Sequence, residues 1–178
     1  MVIAGFGGQG IILAGKLLSQ TAMECGYEVT LMPSYGAEVR GGTANTMIVI
    51  ADEPIACPIV DRPDSAIIMN KASLAKYAPR IREGGLLVVN TSLVDVEPDA
   101  AESVMVLSIP AGDLAIELGS PRSTNMVALG AYLRMRGYMT HEDAARALPQ
   151  VLAQRYHKLL PINIEALKRG AAYAAEHK

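Results

Sequence analysis

The sequence predicts an α/β protein: a three-layer α/β/α sandwich around a mostly parallel, Rossmann-like sheet, with a helical C-terminal third. Three observations carry this. Short β-branched and aliphatic runs alternate with helix-period segments up to residue 118. Glycine and proline punctuate the junctions between them. From residue 126 onward the apolar spacing is helical.

The first strand is Val2 to Ala4, and Gly5-Phe6-Gly7-Gly8-Gln9-Gly10 leads from it into a helix from Ile11 to about Glu24. Ile11, Ile12, Leu13, Ala14, Leu17, Leu18, Ala22 and Met23 cover most of that helix's circumference, so it is expected to be buried against a sheet or a second subunit. Gly26 ends it, Glu28 to Met32 reads as a second strand, and Pro33 is expected to stop that strand. Thr43 to Ile50 alternates like a strand, and Ser65 to Met69 is a buried one. A short helix over Ala72 to Tyr77 precedes Gly84-Gly85 and Leu86 to Val89, the clearest parallel-type strand. Val104 to Ile109 is the last strand, followed by a helix over Ala111 to Leu118. Met126 to Arg136, His141 to Leu152 and Ile162 to Glu176 complete the helices, and Thr140 with Asp143 resembles a capping box for the second of these three.

Length and composition narrow the function classes. The 178 residues, 51% hydrophobic and 19% charged, suffice for one substantial core, so a single domain over 1–178 is expected. A net charge of -2 with no basic stripe argues against nucleic acid. No apolar run approaches the ~20 residues of a membrane span, and no basic flank precedes the apolar start. A cytoplasmic protein with no membrane partner is the expectation. Cys25 and Cys57 stand far apart, with no Cys-x-x-Cys and no histidine cluster. Neither zinc nor an iron–sulfur cluster is expected on this chain alone.

Three stretches hold the candidate binding residues. The first glycine loop matches G-x-G-x-x-G, which is either a tight strand-to-helix turn or an anion cradle at a helix start. A dinucleotide fold would place Asp or Glu at the end of the second strand, where this chain has Leu31, Met32 and Pro33. Conventional NAD binding is disfavoured. The second stretch, Pro33-Ser34-Tyr35-Gly36-Ala37-Glu38-Val39-Arg40-Gly41-Gly42, has loop composition. There Glu38 and Arg40 form a local ion pair more readily than a catalytic pair. The third, Arg122-Ser123-Thr124-Asn125, offers a second anion site or simple N-caps before an apolar helix. No nucleophile elbow, Walker loop, HExxH or kinase-type assembly is present, so no catalytic residue is assigned.

The paired segments Gly5 to Gly10 and Ser34 to Gly42 resemble those of the gamma subunit of 2-oxoacid:ferredoxin oxidoreductases. The resemblance continues through Asp61-Arg62-Pro63-Asp64, Gly84-Gly85 and Asn125-Met126-Val127-Ala128-Leu129-Gly130, covering most of the chain. Ile3 to Ile11 most resembles the 2-oxoglutarate branch, while the pyruvate, branched-chain oxoacid and indolepyruvate enzymes share the same loops. The first strand is shorter than in such relatives, as a trimmed start would make it. The resemblance implies an accessory subunit in CoA-dependent oxidative decarboxylation of a 2-oxoacid to acyl-CoA, carbon dioxide and reduced ferredoxin. It places thiamine diphosphate, magnesium and iron–sulfur clusters on alpha, beta and ferredoxin-like delta partners. Carried over by position, Gly7, Gly8, Gln9 and Gly10 with Ser34, Tyr35, Gly36, Glu38, Arg40, Gly41 and Gly42 are the coenzyme A or subunit-interface surface. A free-standing Rossmann-like nucleotide-binding enzyme or sensor, and a purely structural module, are the alternatives. The apolar first helix also allows homodimerisation of the lone chain.

Overall fold

The computed structural model describes residues 1–35 and 43–177, so the candidate residues Gly36, Glu38, Arg40, Gly41 and Gly42 lie outside the described residues. Among the described residues one sheet holds β1 (Val2–Phe6), β2 (Glu28–Tyr35), β3 (Thr43–Ala51), β4 (Ser65–Ile68), β5 (Leu86–Asn90) and β6 (Met105–Ile109). Their order is β2-β3-β1-β4-β5-β6. The β1–β4, β4–β5 and β5–β6 pairs are parallel, whereas β3 runs antiparallel to both β1 and β2. Chain length explains the exception, because the few residues from Tyr35 to Thr43 cannot carry the dozen or more that a parallel crossover needs.

The helices are α1 (Ile11–Glu24), α2 (Lys71–Tyr77), α3 (Ala111–Glu117), α4 (Thr124–Arg136), α5 (His141–Val151) and α6 (Leu160–Glu176). Residues of α1, α3, α4, α5 and α6 form one apolar cluster with Ile3, Ile48, Ile67, Val88 and Leu107 of the sheet. On the other face, Val2, Ala4, Ile68, Leu87 and Val89 meet a thinner cover among the described residues: Leu74 and Tyr77 of α2, Ala78 and Ile81 beyond it, the loop residues Val94 and Val104, and the partly buried Met47 and Ala100. The three layers are therefore unequal. β4 and β5 are buried on both faces, which is why they read as continuous apolar runs. α4 and α6 approach closely where Gly130 faces the Leu167 backbone and Gly170 faces that of Val127, since a β-carbon on either glycine would overlap the opposing carbonyl. No helix among the described residues is long and apolar enough to cross a membrane.

Several boundaries depart from expectation. Pro33 does not stop β2, which continues to Tyr35 with Pro33 opposite Thr46 and Ser34 opposite Asn45. β2 is an edge strand, where a residue without an N–H is tolerated. Ser34 and Tyr35 are thus strand residues, not loop residues. α4 starts at Thr124, so Thr124 and Asn125 occupy its first turn rather than preceding it. α1 packs on β2, β3 and α5 within the chain, the first of the two burials its apolar circumference predicts, and Met23 is its exposed large apolar side chain. The Thr140–Asp143 capping box is present in full.

Candidate functional site

From β1 the chain turns to β2 and β3 on one side, and β4 leads to β5 and β6 on the other. The strand order therefore reverses between β1 and β4, and a doubly wound sheet opens a crevice at the carboxyl ends of such a pair. The glycine loop sits there. Gly8, at φ 95, and Gly10, at φ 72, take left-handed backbone conformations that only glycine adopts cheaply. Gln9 folds its side chain back across the reversal. Its Oε1 accepts the Phe6 N–H at 2.6 Å, and its Nε2 donates to the Met69 carbonyl just beyond β4 at 3.2 Å. A β-carbon on Gly5 would collide with that carboxamide and stand 2.8 Å from Met69 Cβ, so Gly5 keeps the space that Gln9 fills.

The third stretch meets the first. Asn125 Nδ2 donates to the Gly10 carbonyl at 3.0 Å. Arg122 and Thr124 line a cavity of about 370 Å³ together with Gly8, Gln9 and Met69. Leu93 and Ile116 give this cavity apolar walls, and Ser92, Gly112 and Asp113 close its far side. Ser92 Oγ donates to Asp113 Oδ2 at 2.9 Å and accepts the Asp113 N–H at 3.1 Å. The Gly112 N–H donates to Asn90 Oδ1 at 3.3 Å, while Asn90 Nδ2 is buried without a partner among the described residues. Arg122 is exposed and forms no ion pair among the described residues. It is available as the cation of the crevice.

Ser123 belongs elsewhere. It donates from Oγ to Asn163 Oδ1 at 3.1 Å, and its Oγ lies 2.8 Å from Ser120 Oγ, tying the start of α4 to α6. Thr124 Oγ1 donates to the Pro121 carbonyl at 2.8 Å. No side chain caps α4, so these residues are not the simple N-caps that one reading of the sequence offered. The second stretch shares the same end of the sheet at its described ends, because Gly5 pairs with Ala44 and Ala44 with Tyr35, while Phe6 pairs with Thr43. Asn90, Ser92 and Asp113 were not singled out from the sequence. The available signal was the polar Asn90-Thr91-Ser92 that follows the apolar run of β5.

A second polar cluster lies at the opposite ends of the strands. Ser65 Oγ stands 3.2 Å from Tyr132 Oη, which stands 2.8 Å from Tyr138 Oη. Burial pushes both phenols above their ordinary range, so they remain neutral hydrogen-bonding groups. Among the described residues no three His, Cys, Asp or Glu stand together as a metal site, and Cys25 and Cys57 are exposed and unpaired. These residues do not fit a metal ion or an iron–sulfur cluster.

The fold and crevice define a doubly wound α/β domain whose glycine loop is filled by its own glutamine. Residues 1–173 match the family described as pyruvate ferredoxin/flavodoxin oxidoreductase, and the chain belongs to that family. It is 33% identical over 175 residues to the ketoisovalerate oxidoreductase subunit VorA of Methanothermobacter marburgensis, covering 98% of this chain but only 36% of the relative. The chain thus spans about a third of that protein. It is 36% identical over 148 residues to the 2-oxoglutarate synthase subunit KorC of Methanocaldococcus jannaschii, covering 82% of this chain and 79% of the relative. Among solved structures it superimposes on the gamma subunit of a keto/oxoacid ferredoxin oxidoreductase from Geobacter sulfurreducens PCA. The TM-score is 0.82 at 26% identity, covering 98% and 97% of the two chains. It also matches 2-oxoglutarate:ferredoxin oxidoreductase from Magnetococcus marinus, solved with 2-oxoglutarate, coenzyme A and succinyl-CoA bound. There the TM-score is 0.87 at 29% identity, over 98% of this chain and 30% of that one.

Proposed function

We propose that residues 1–178 act as one gamma-type domain of a cytoplasmic 2-oxoacid:ferredoxin oxidoreductase, with 2-oxoglutarate as the oxoacid. The complex converts the oxoacid and coenzyme A to acyl-CoA, carbon dioxide and reduced ferredoxin. The observation that carries this reading is the meeting of the glycine loop and Arg122 in one crevice of a chain of this family. The KorC relative and the Magnetococcus enzyme support 2-oxoglutarate, and the bound coenzyme A of the latter supports the ligand.

Thiamine diphosphate, magnesium and the clusters are assigned to alpha, beta and delta partners, where they would supply the carbanion and electron-transfer chemistry. What this chain supplies is reception of coenzyme A. Arg122 offers a planar, permanently charged fork to phosphate oxygens, and Leu93 with Ile116 offers apolar contact to the rest of the molecule. Gln9 and Asn125 hold the loop that forms the opposite wall. Gly7, Gly8 and Gly10 are assigned to the same coenzyme A or subunit-facing surface, and so, from their place in the sequence, are Ser34, Tyr35, Gly36, Glu38, Arg40, Gly41 and Gly42.

The test is the assembled complex assayed with 2-oxoglutarate, pyruvate and 2-ketoisovalerate. The highest kcat/KM is expected with 2-oxoglutarate, and no turnover with the isolated chain. Arg122→Ala raises KM for coenzyme A about tenfold with kcat kept, the size expected for one charge-assisted phosphate contact. An unchanged KM in Arg122→Ala and Arg40→Ala complexes would instead identify a purely structural module. Calorimetry on the isolated chain addresses the free-standing nucleotide-binding reading, which requires tight NAD or NADP. The Gln9 carboxamide, seated across the crevice, argues against it.

A further inference from the structure

β6 is one edge of the sheet, and its peptide groups divide cleanly between the two sides. The Met105 N–H bonds to the Gly85 carbonyl, and the Ile109 carbonyl accepts the Thr91 N–H. With the parallel register Leu86 to Met105 through Asn90 to Ile109, the peptide groups of Met105, Leu107 and Ile109 face β5. Those of Val106 and Ser108 face outward. The flanking outward positions offer no further donor, since the Val104 N–H is already bonded to the Ala101 carbonyl and Pro110 has none.

Free edges are usually blunted by charge or proline. β2, the opposite edge, carries Glu28 and Pro33. β6 reads Met-Val-Leu-Ser-Ile with neither, and Met105 and Val106 are 52% and 41% exposed. Leu107 and Ile109 are buried under the helices and hold the strand in place.

We propose that the β6 edge pairs with β6 of a second copy of this chain, antiparallel about a two-fold axis through Leu107, joining two sheets into one. The occupant follows from self-complementarity. Antiparallel pairing centred on Leu107 sets Val106 of each copy opposite Ser108 of the other, as two hydrogen-bonded pairs that use both N–H groups and both carbonyls of each edge. Other registers strand one of these groups against Val104, whose N–H is taken, or Pro110, which has no N–H. A two-fold contact of this kind closes on itself and makes a dimer rather than a fibre. It is independent of the coenzyme A reading, because β6 forms no part of the crevice lining.

The test is sedimentation of the full chain from low to high micromolar concentration, since a contact of this size is weak and reversible. A concentration-dependent monomer–dimer equilibrium is expected. Val106→Pro removes an outward N–H while sparing the β5 ladder, so it keeps the circular dichroism of the parent and weakens dimerisation at least about tenfold. An equal mixture of chains carrying Val106→Cys and Ser108→Cys, each with Cys25→Ser and Cys57→Ser, is joined by a short bis-maleimide into a covalent heterodimer, because the register sets position 106 of one copy directly opposite 108 of the other, ~5.5 Å apart between Cα atoms. That readout decides the matter if the proline variant does not fold. A parent chain monomeric throughout, a dimer indifferent to Val106→Pro, or a cysteine mixture that the bis-maleimide leaves monomeric overturns the proposal, as does dimerisation through any other surface.

Discussion

Asn125 and Gly10 are joined across 115 residues of sequence, the side-chain amide of one donating to the carbonyl of the other at 3.0 Å. The contact fits only because Gly10 has no β-carbon, which would overlap the Asn125 carboxamide. Asn125→Ala is expected to cost about 1 kcal/mol, the net worth of one hydrogen bond. Gly10→Ala is expected to cost more, since left-handed backbone adds about 1–2 kcal/mol to the clash. Because Asn125→Ala opens the space that an alanine at 10 requires, the double variant should lose less than the sum. Denaturant unfolding of the four proteins measures this cycle.

Gln9 separates shape from hydrogen-bonding chemistry. Gln9→Glu keeps the volume but brings a carboxylate oxygen to the Met69 carbonyl in place of a donor. A loss of about 1–3 kcal/mol is expected at neutral pH. The Met69 carbonyl favours the protonated acid, and the Phe6 N–H, which either form can accept, offsets this only in part, so the introduced group's folded pKa is raised. The variant should therefore approach the parent's stability as pH falls through that value, and fall away above it. Thermal melts of both proteins across the acid range supply the comparison.

The two kinds of glycine in the helical layer should respond differently. Gly130→Ala and Gly170→Ala each push a methyl into an opposing backbone carbonyl, and a loss of about 3 kcal/mol or failure to fold is expected. Gly137 has φ 76 and no atom near its missing β-carbon. Gly137→Ala should cost only the left-handed penalty of about 1 kcal/mol. Equal losses at all three positions would contradict the close α4–α6 approach.

The capping box gives a defined acid dependence. Hydrogen bonds from the Thr140 backbone and hydroxyl hold the Asp143 carboxyl below its usual range, with Arg146 adding a smaller electrostatic pull. A folded pKa below the unfolded value means stability fully present above pH ~4 and lost as pH falls through the folded pKa. Asp143→Ala should therefore cost about 1 kcal/mol at pH 7, and the gap from the parent should shrink on acidification. Urea midpoints at pH 7 and in mild acid check the sign.

Much of the fold was legible because its cues are local. Unbroken apolar runs marked β4 and β5, helical spacing marked α4 to α6, and Thr140 with Asp143 marked a helix start. What resisted reading depends on place in the sheet. Pro33 stops a central strand but not an edge, and nothing local to it announces that β2 is an edge. The glycine loop and Arg122 were both visible as anion-binding material, yet their convergence comes from helix packing between segments more than a hundred residues apart. Ser92 and Asp113 escaped notice because serine and aspartate after a strand are ordinary turn residues until the turn is seen to face a cavity. What covers α1 could not be read for a related reason. An all-round apolar helix reports burial without saying by what, and α1 is covered by its own sheet and α5.

The contact of α4 with α6 sets a standard of length for the crevice. Two helices touching backbone to backbone at Gly130 and Gly170 cannot slide or roll past one another without first separating. Ser123 and Asn163 lock their leading ends together. The backbone at Arg122, one residue before Ser123, is therefore held against α6, while its exposed guanidinium keeps its own freedom. The facing wall hangs from the Gln9 and Asn125 carboxamides and the Ser92–Asp113 turn, all of which can exchange partners. Those bonds, and not the seat of α4 on α6, are where the width of the crevice can change.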